Sequence, residues 1–269
     1  MTQADSLAPR LLPLGDTAWT VEFGDQIDPL LHARVLGLAS ALAQRRADRG
    51  DSGDSGDSVD SANTAFAGIV DVVPTFRSLS VHYNPLVCDG EVLGQALLEL
   101  AKNAGSAQAE GRCWRLPVCF DEEFAPDMND LAAAKGLRRE AVIDLLCEAT
   151  FQVYMIGFMP GFPYMGGLPS VLEMPRLASP RKAVPARSLA VAGAMCAVYP
   201  WESPGGWRLL GRTPVPMFAA SETAAPALLA SGDRVRWHPV ARAQFDAMEA
   251  RALAGGLDRR SLLDAREAV

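Results

Sequence analysis

Phe151-Gln-Val-Tyr-Met-Ile-Gly157-Phe-Met-Pro160-Gly-Phe-Pro-Tyr164-Met-Gly-Gly-Leu-Pro169 decides the fold of this sequence. An apolar run over residues 151–158 breaks into dense Gly/Pro punctuation, and the same texture recurs at 188–193, 196–199, 207–210, 215–218 and 234–237. Many short apolar stretches separated by Gly and Pro read as strands of an antiparallel barrel or sandwich. Gly232-Asp233 reads as the turn that feeds the closing strand. A second dense segment is Ser203-Pro-Gly-Gly-Trp207-Arg-Leu-Leu-Gly211-Arg-Thr-Pro214. Such segments fix backbone shape and let a ligand or another chain approach closely. Tight barrel corners with packed aromatics would use the same residues.

Outward from this region the texture changes. Residues 112–120 are strand-like, and 127–135 and 138–150 carry two helices separated by Gly136. The tail from Ala241 is Ala/Arg-rich and helical, with Phe245, Met248 and Leu253 as its packing residues. Near the N-terminus, residues 11–14 and 18–23 read as strands around Gly15-Asp16, with Trp19, Val21 and Phe23 on one face. Asp28-Pro29 is an N-cap followed by a first-turn proline, and Leu31, Val35, Leu38 and Leu42 carry the helix to about Arg46. Strands follow at 68–73 and 78–83, then a helix capped by Asp89 with the stripe Val92, Leu93, Ala96, Leu97 and Leu100, stopped at Gly105. The fold class is therefore α+β: a small two-layer α/β domain over residues 1–107, a barrel over 108–240 and a helical tail over 241–269. Within the first domain, the Asp/Ser/Gly tract of 48–64 has almost nothing to bury and is expected to be a disordered loop. Its recurring Asp lacks the spacing and terminal Glu of a calcium loop.

The chain has 269 residues, 49% hydrophobic and 21% charged, with a net charge of -7, which excludes a general nucleic-acid binder. Its five cysteines are odd in number and none stands in C-x-x-C spacing, which fits free thiols in a reducing compartment. The three histidines are scattered, so no metal site is expected. Without a leader or an apolar run of membrane length, the chain reads as cytoplasmic, with no membrane partner. Neither glycine-rich segment is followed by Lys-Ser/Thr, so neither is a phosphate cradle. Ser203 has no histidine near it in the sequence, and a hydrolase triad is not supported. Arginines on proline-stiffened backbone suit a carboxylate or phosphate. Arg176 and Arg187 read as solvated charge, whereas Arg181 stands open between the two readings.

Gly157-Phe-x-Pro-Gly-Phe-Pro-Tyr164, Pro180-Arg181…Val184-Pro185 and Ser203-Pro-Gly-Gly-Trp207…Gly211-Arg-Thr213 together resemble the signature of allophanate-hydrolase-subunit-1-like proteins. That family includes the B subunit of the prokaryotic ATP-dependent 5-oxoprolinase, a sporulation-kinase inhibitor, and half of the carboxyltransferase domain of urea carboxylase. The resemblance implies a cyclophilin-like β-barrel for the second domain. It also implies a subunit-2-like partner (the C subunit), a large third subunit, and ATP used by the assembled enzyme to open 5-oxo-L-proline to L-glutamate. The isolated chain would then be inactive. A regulatory inhibitor of a sensor histidine kinase and a carboxyltransferase or allophanate-hydrolase-like subunit acting on a urea-type substrate are the alternatives. The sequence departs from the family pattern at Leu146, Phe151, Arg187, Met195 and Cys196, where His, Tyr, Gly and Gln-Thr-Gly are expected. A polar wall has become apolar or thiol-bearing, which suits another ligand or a regulatory copy. Three motif segments brought to one barrel rim place Tyr164, Arg181, Ser203, Trp207 and Arg212 on the substrate surface, with Arg181 holding a carboxylate. Phe158 and Phe162 are the partner-binding candidates. No catalytic residue is assigned.

Overall fold

The structure, a computed structural model, describes residues 8–51, 65–105 and 111–264. The chain divides into two units, Met1–Glu110 and Gly111–Val269.

The first unit holds β1 (Arg10–Pro13), β2 (Ala18–Glu22), α1 (Pro29–Asp51), β3 (Ile69–Pro74), β4 (Ser78–Tyr83) and α2 (Gly90–Asn103). Its antiparallel sheet has the order β1-β2-β4-β3. Val21, Leu79 and Val81 from the strands pack against Leu31, Val35, Leu38 and Leu42 of α1 and Leu93 and Leu97 of α2. Asp89 caps α2, its Oδ1 accepting from the Glu91 and Val92 amides. The buried stripe of α2 is rotated from the expected one: Val92 is exposed, and Gly94 faces inward instead. The Trp19 and Leu11 side chains lie so close to Gly94 that only a bare Cα fits there. The helix α1 continues past Arg46 to Asp51. The tract expected to be a disordered loop thus begins inside α1, and its residues 52–64 lie outside the described ones.

The second unit contains β5 (Cys113–Val118), β6 (Phe151–Ile156), β7 (Pro163–Gly166), β8 (Arg181–Val184), β9 (Ser188–Ala192), β10 (Met195–Val198), β11 (Ser203–Gly205), β12 (Arg208–Arg212) and β13 (Arg234–Pro239). Seven of these form one sheet in the order β12-β9-β10-β7-β6-β13-β5. Its two edges meet at a bridge between Cys119 and Arg212, whose amides and carbonyls bond reciprocally at 2.9 Å, so the sheet closes on itself as a barrel. Leu116, Val118, Phe151, Val153, Met165, Leu189, Val191, Cys196, Val198, Leu210, Val235 and Trp237 belong to its core. The helices α3 (Met128–Lys135) and α4 (Arg139–Glu148) add Met128, Leu131, Val142 and Leu146 to the same core.

The barrel is not wholly antiparallel, because β13 runs parallel to β5. A chain that leaves by β5 and returns only after two helices and the rest of the barrel has the long crossover a parallel pair needs. Residues 215–218 form no strand, because Pro214 and Pro216 remove ladder donors on either side of Val215. The strands β8 and β11 pair with each other as a separate two-stranded ribbon. In the tail, α5 (Arg242–Leu253) buries Phe245, but Leu253 is exposed.

Candidate functional site

Period-two alternation sends Leu189 and Val191 of β9 and Cys196 and Val198 of β10 into the barrel core. Ala190, Ala192 and Ala197 point to the opposite face, where they meet Phe162, Val184, Tyr199, Trp207 and Leu209. Small residues on the strands leave room for large rings above them. Phe162 is the hub, with ring centroids 4.9 Å from Tyr164, 5.2 Å from Tyr199, 6.1 Å from Trp207 and 5.4 Å from Phe158. Such tilted and edge-on contacts are favoured by the ring quadrupoles. Burial pushes the Tyr164 and Tyr199 phenols up, so both stay protonated at neutral pH.

The glycines of the two motif segments serve this packing. Gly161 has φ of +79°, and a Cβ there would meet the Met217 carbonyl at 2.9 Å. A Cβ on Gly166 would strike the Tyr154 ring, and one on Gly205 the Tyr199 hydroxyl. These close approaches are to the protein itself. Phe158 has φ of +66° without being glycine, and its ring is 66% exposed. A bulky side chain held in the left-handed region is uncommon and marks a position with another constraint on it.

Beside the aromatic face lies an ionic one. Asp127, just before α3, makes no helix-capping bond; its carboxylate turns inward instead. Arg181 Nη2 donates to its Oδ1 at 2.6 Å, and the Leu209 amide donates to its Oδ2 at 2.6 Å. Arg181 Nη1 reaches the Trp207 carbonyl at 3.4 Å. This knot ties α3, β8 and β12 together. Next to it is a cavity of about 320 Å³, whose wall includes Phe124, Pro126, Arg181, Ser188, Leu209 and Arg212. Arg212 Nε donates to the Ala186 carbonyl at 2.9 Å, and its guanidinium stands 5.4 Å from the Phe124 ring centroid. Burial and the neighbouring Arg187 lower the Arg212 pKa, opposed by Glu249.

Arg181 and Arg212 therefore share one cavity, while Tyr164 and Trp207 share the aromatic face. Arg181 joins the two through its bond to the Trp207 carbonyl. Ser203 lies on the ribbon opposite Val184, outside the cavity wall, and its buried hydroxyl has no hydrogen-bond partner. Phe162 is only 1% exposed, which corrects its expected place on a partner surface: it supports Phe158 from beneath. Arg187, read as solvated charge, is half-buried and holds Glu249 of α5. Asp127 and Glu249 escape a sequence reading, because a carboxylate before a helix looks like a cap and one in an Ala/Arg tail looks solvated.

The family "Carboxyltransferase domain, subdomain C and D" matches residues 9–229. The chain belongs to that family. Among its relatives, the 5-oxoprolinase B subunit of Bacillus subtilis (strain 168) is 31% identical over 248 residues, covering 87% of this chain and 94% of that one. The 5-oxoprolinase B subunit of Escherichia coli O157:H7 is 40% identical over 175 residues, covering 64% and 78%. Among solved structures, TTHA0988 superposes with a TM-score of 0.66 at 31% identity over 83% of this chain, which spans 40% of that protein. Kluyveromyces lactis urea carboxylase gives a TM-score of 0.72 at 18% identity over 95% of this chain, which spans 23% of it. That likeness shows the carboxyltransferase-domain fold and no more.

Within this carboxyltransferase-domain fold, the departures noted in the sequence sit apart from the cavity. Leu146, Phe151 and Cys196 are fully buried in the barrel core, and Met195 packs on the aromatic cluster. They wall no part of the 320 Å³ cavity, so the expected conversion of a polar pocket wall does not occur there. Arg187 is different: it takes φ of +68° at a position where the family resemblance leads one to expect glycine.

Proposed function

We propose that this chain is the B subunit of an ATP-dependent 5-oxoprolinase, which converts 5-oxo-L-proline, ATP and water into L-glutamate, ADP and phosphate. The observation that carries this reading is the match to a 5-oxoprolinase B subunit along 94% of that relative's length. The chain acts with a subunit-2-like chain and a large third subunit, in the cytoplasm. Among the described residues, no helix is long and apolar enough to cross a membrane.

An unactivated lactam is a poor electrophile, and phosphorylating its oxygen makes the carbonyl attackable by water. Neither glycine-rich segment of this chain carries a nucleotide-binding motif, and ATP is used by the assembled enzyme. The part left to this chain is to hold and orient the small substrate. Tyr164, backed by the buried Trp207, supplies a rigid apolar platform, and Arg181 and Arg212 the cationic wall. Arg181 acts as a positioning residue, since its fork is engaged by Asp127. Phe158 and the face around it dock the subunit-2-like chain. Co-expression with the two partners, followed by an assay for ATP-dependent glutamate formation from 5-oxoproline, tests the reading. Glutamate formation supports it; assembly without 5-oxoproline turnover overturns it.

A further inference from the structure

Arg176, which the sequence presents as solvated charge, is built into the aromatic face. The chain on either side of it is tied to the segment that carries Trp207. The Leu177 amide donates to the Gly206 carbonyl at 2.7 Å, and Arg208 Nε donates to the Pro175 carbonyl at 3.4 Å. Between these ties the Arg176 guanidinium stands 5.9 Å from the Trp207 ring centroid, within cation–π reach. Trp207 in turn lies 6.0 Å from Tyr164. A guanidinium that offers its face to a ring keeps the N–H donors on its edge for an acceptor in its plane. Among the described residues, those of Arg176 meet no hydrogen-bond acceptor and no carboxylate. Cations set the field here. Arg176 acts on the Tyr164 phenol, and Arg176 and Arg181 act on that of Tyr199, each lowering a pKa that burial raises more. Arg181 is matched by Asp127. Glu173 and Glu202, the acids nearest in the chain, are exposed and bear on neither phenol. Tyr164 keeps its proton at neutral pH and is a neutral donor.

We propose that Arg176 and Tyr164 form a binding site for a small carboxylate ligand, the guanidinium edge holding the carboxylate and the Tyr164 ring underlying the ligand's apolar body. The ligand class follows from the surroundings. Met159 and Met195 pack on the same cluster as Tyr164, so the donors stand at one end of an apolar surface. A carboxylate on a compact apolar body meets donors at one end and carbon at the other. An anion ringed by oxygens, such as free phosphate, would press its remaining oxygens against that carbon. The identification of the carboxylate as that of 5-oxoproline rests on the functional reading above; the site itself does not.

The measurement is calorimetric titration of the full chain, alone and co-assembled with its partners. The probes are propionate, 5-oxoproline, 2-pyrrolidinone and inorganic phosphate, with circular dichroism and Tm recorded for each variant. Arg176→Gln lowers affinity for both carboxylates at least about tenfold, as loss of a charge-assisted pair does. Arg176→Lys keeps the charge without the fork and lowers it about threefold to tenfold. Tyr164→Phe keeps the ring, removes the donor and lowers it about threefold. The response to 2-pyrrolidinone, the lactam without the carboxylate, is the same in wild type and Arg176→Gln. Arg176 is exposed and pairs with no acid among the described residues, so its variants keep Tm within about 3 °C of wild type. Carboxylate binding that falls in this order at retained Tm supports the proposal. Unchanged carboxylate binding in Arg176→Gln, an equal loss of 2-pyrrolidinone, phosphate bound with both carboxylates silent, or no carboxylate bound in either state overturns it. A large fall in Tm in both Arg176 variants also overturns it, by making the stacked guanidinium structural. Propionate binding with the expected variant pattern but no 5-oxoproline turnover by the complex keeps the site and sinks the 5-oxoprolinase reading. Turnover with an unchanged KM in Arg176→Gln does the reverse.

Discussion

Asp127 illustrates what a residue's neighbours do to its sequence-level meaning. Placed before α3 it reads as a cap, but its carboxylate accepts from Arg181 and the Leu209 amide instead. Asp127→Ala leaves the Arg181 charge and the Leu209 amide unmatched, at a cost of about 3 kcal/mol. Urea denaturation checks this as a lower midpoint at unchanged slope. Arg181→Lys keeps the charge but loses the fork, so it lowers Tm while changing the KM of the assembled enzyme less than Arg212→Gln does. Cys147 offers a pH test. Burial first, then Asp144 and Glu148, push its thiol from 9.0 to about 11. Between those values the unfolded thiol ionises while the folded one keeps its proton. The native state then binds more protons, and stability falls as pH rises through that window. At pH 8 the native Cys147 thiolate is about a hundredfold scarcer than in the unfolded chain, so a thiol reagent labels it correspondingly slowly until denaturant is added.

Among the elements, the barrel's seam depends on one turn. Gly232 has φ of +95° and delivers Asp233, which is buried at the start of β13. Its carboxylate accepts from the Arg112 amide and guanidinium, the Trp114 indole and the Ala230 amide, joining β13 to β5 where their parallel pairing begins. Asp233→Asn removes the charge but keeps the shape, and costs about 3 kcal/mol by leaving those donors underpaired. The thermal midpoint should drop by roughly 5 °C or more, on the order expected for a domain of this size. Retained wild-type Tm would assign the seam's stability to the strand ladder alone. Most of these elements are legible in the sequence, because alternation and Gly/Pro punctuation report burial locally. Asp89 as a cap, Gly136 as a left-handed stop and Gly232-Asp233 as the closing turn are all visible without a fold. The strands β7, β8 and β11 are not, because each is three or four residues long and two of them are rich in Gly or Pro. Pairing partners, not propensity, make them strands. The ionic half of the site is illegible for the same reason: Asp127 lies 54 residues from Arg181 and Glu249 lies 62 from Arg187. Only tertiary folding sets those charges face to face.

At the scale of the whole molecule, the proposed division of labour makes the isolated chain inert and its partner surface separable from its core. Phe158 is the place to separate them. Its ring is two-thirds exposed, its backbone is held at φ of +66°, and beneath it the buried Phe162 ties it to Tyr164, Tyr199 and Trp207. An exposed aromatic on a rigid aromatic base is the kind of anchor that carries much of an interface's energy. Phe158→Asp removes little packing from the chain itself, so Tm and circular dichroism stay near wild type. Against an apolar partner pocket the new carboxylate is desolvated without a counter-charge, and co-purification of the subunit-2-like chain should fall at least about tenfold. The isolated wild-type chain should show no 5-oxoproline-dependent ATP hydrolysis, and the Phe158→Asp complex should lose that hydrolysis in proportion to the partner it fails to hold. Full ATP turnover by the chain alone would defeat the division of labour. Normal assembly by a well-folded Phe158→Asp variant would move the docking surface elsewhere while leaving the Arg212 cavity, on its own part of the barrel, untouched.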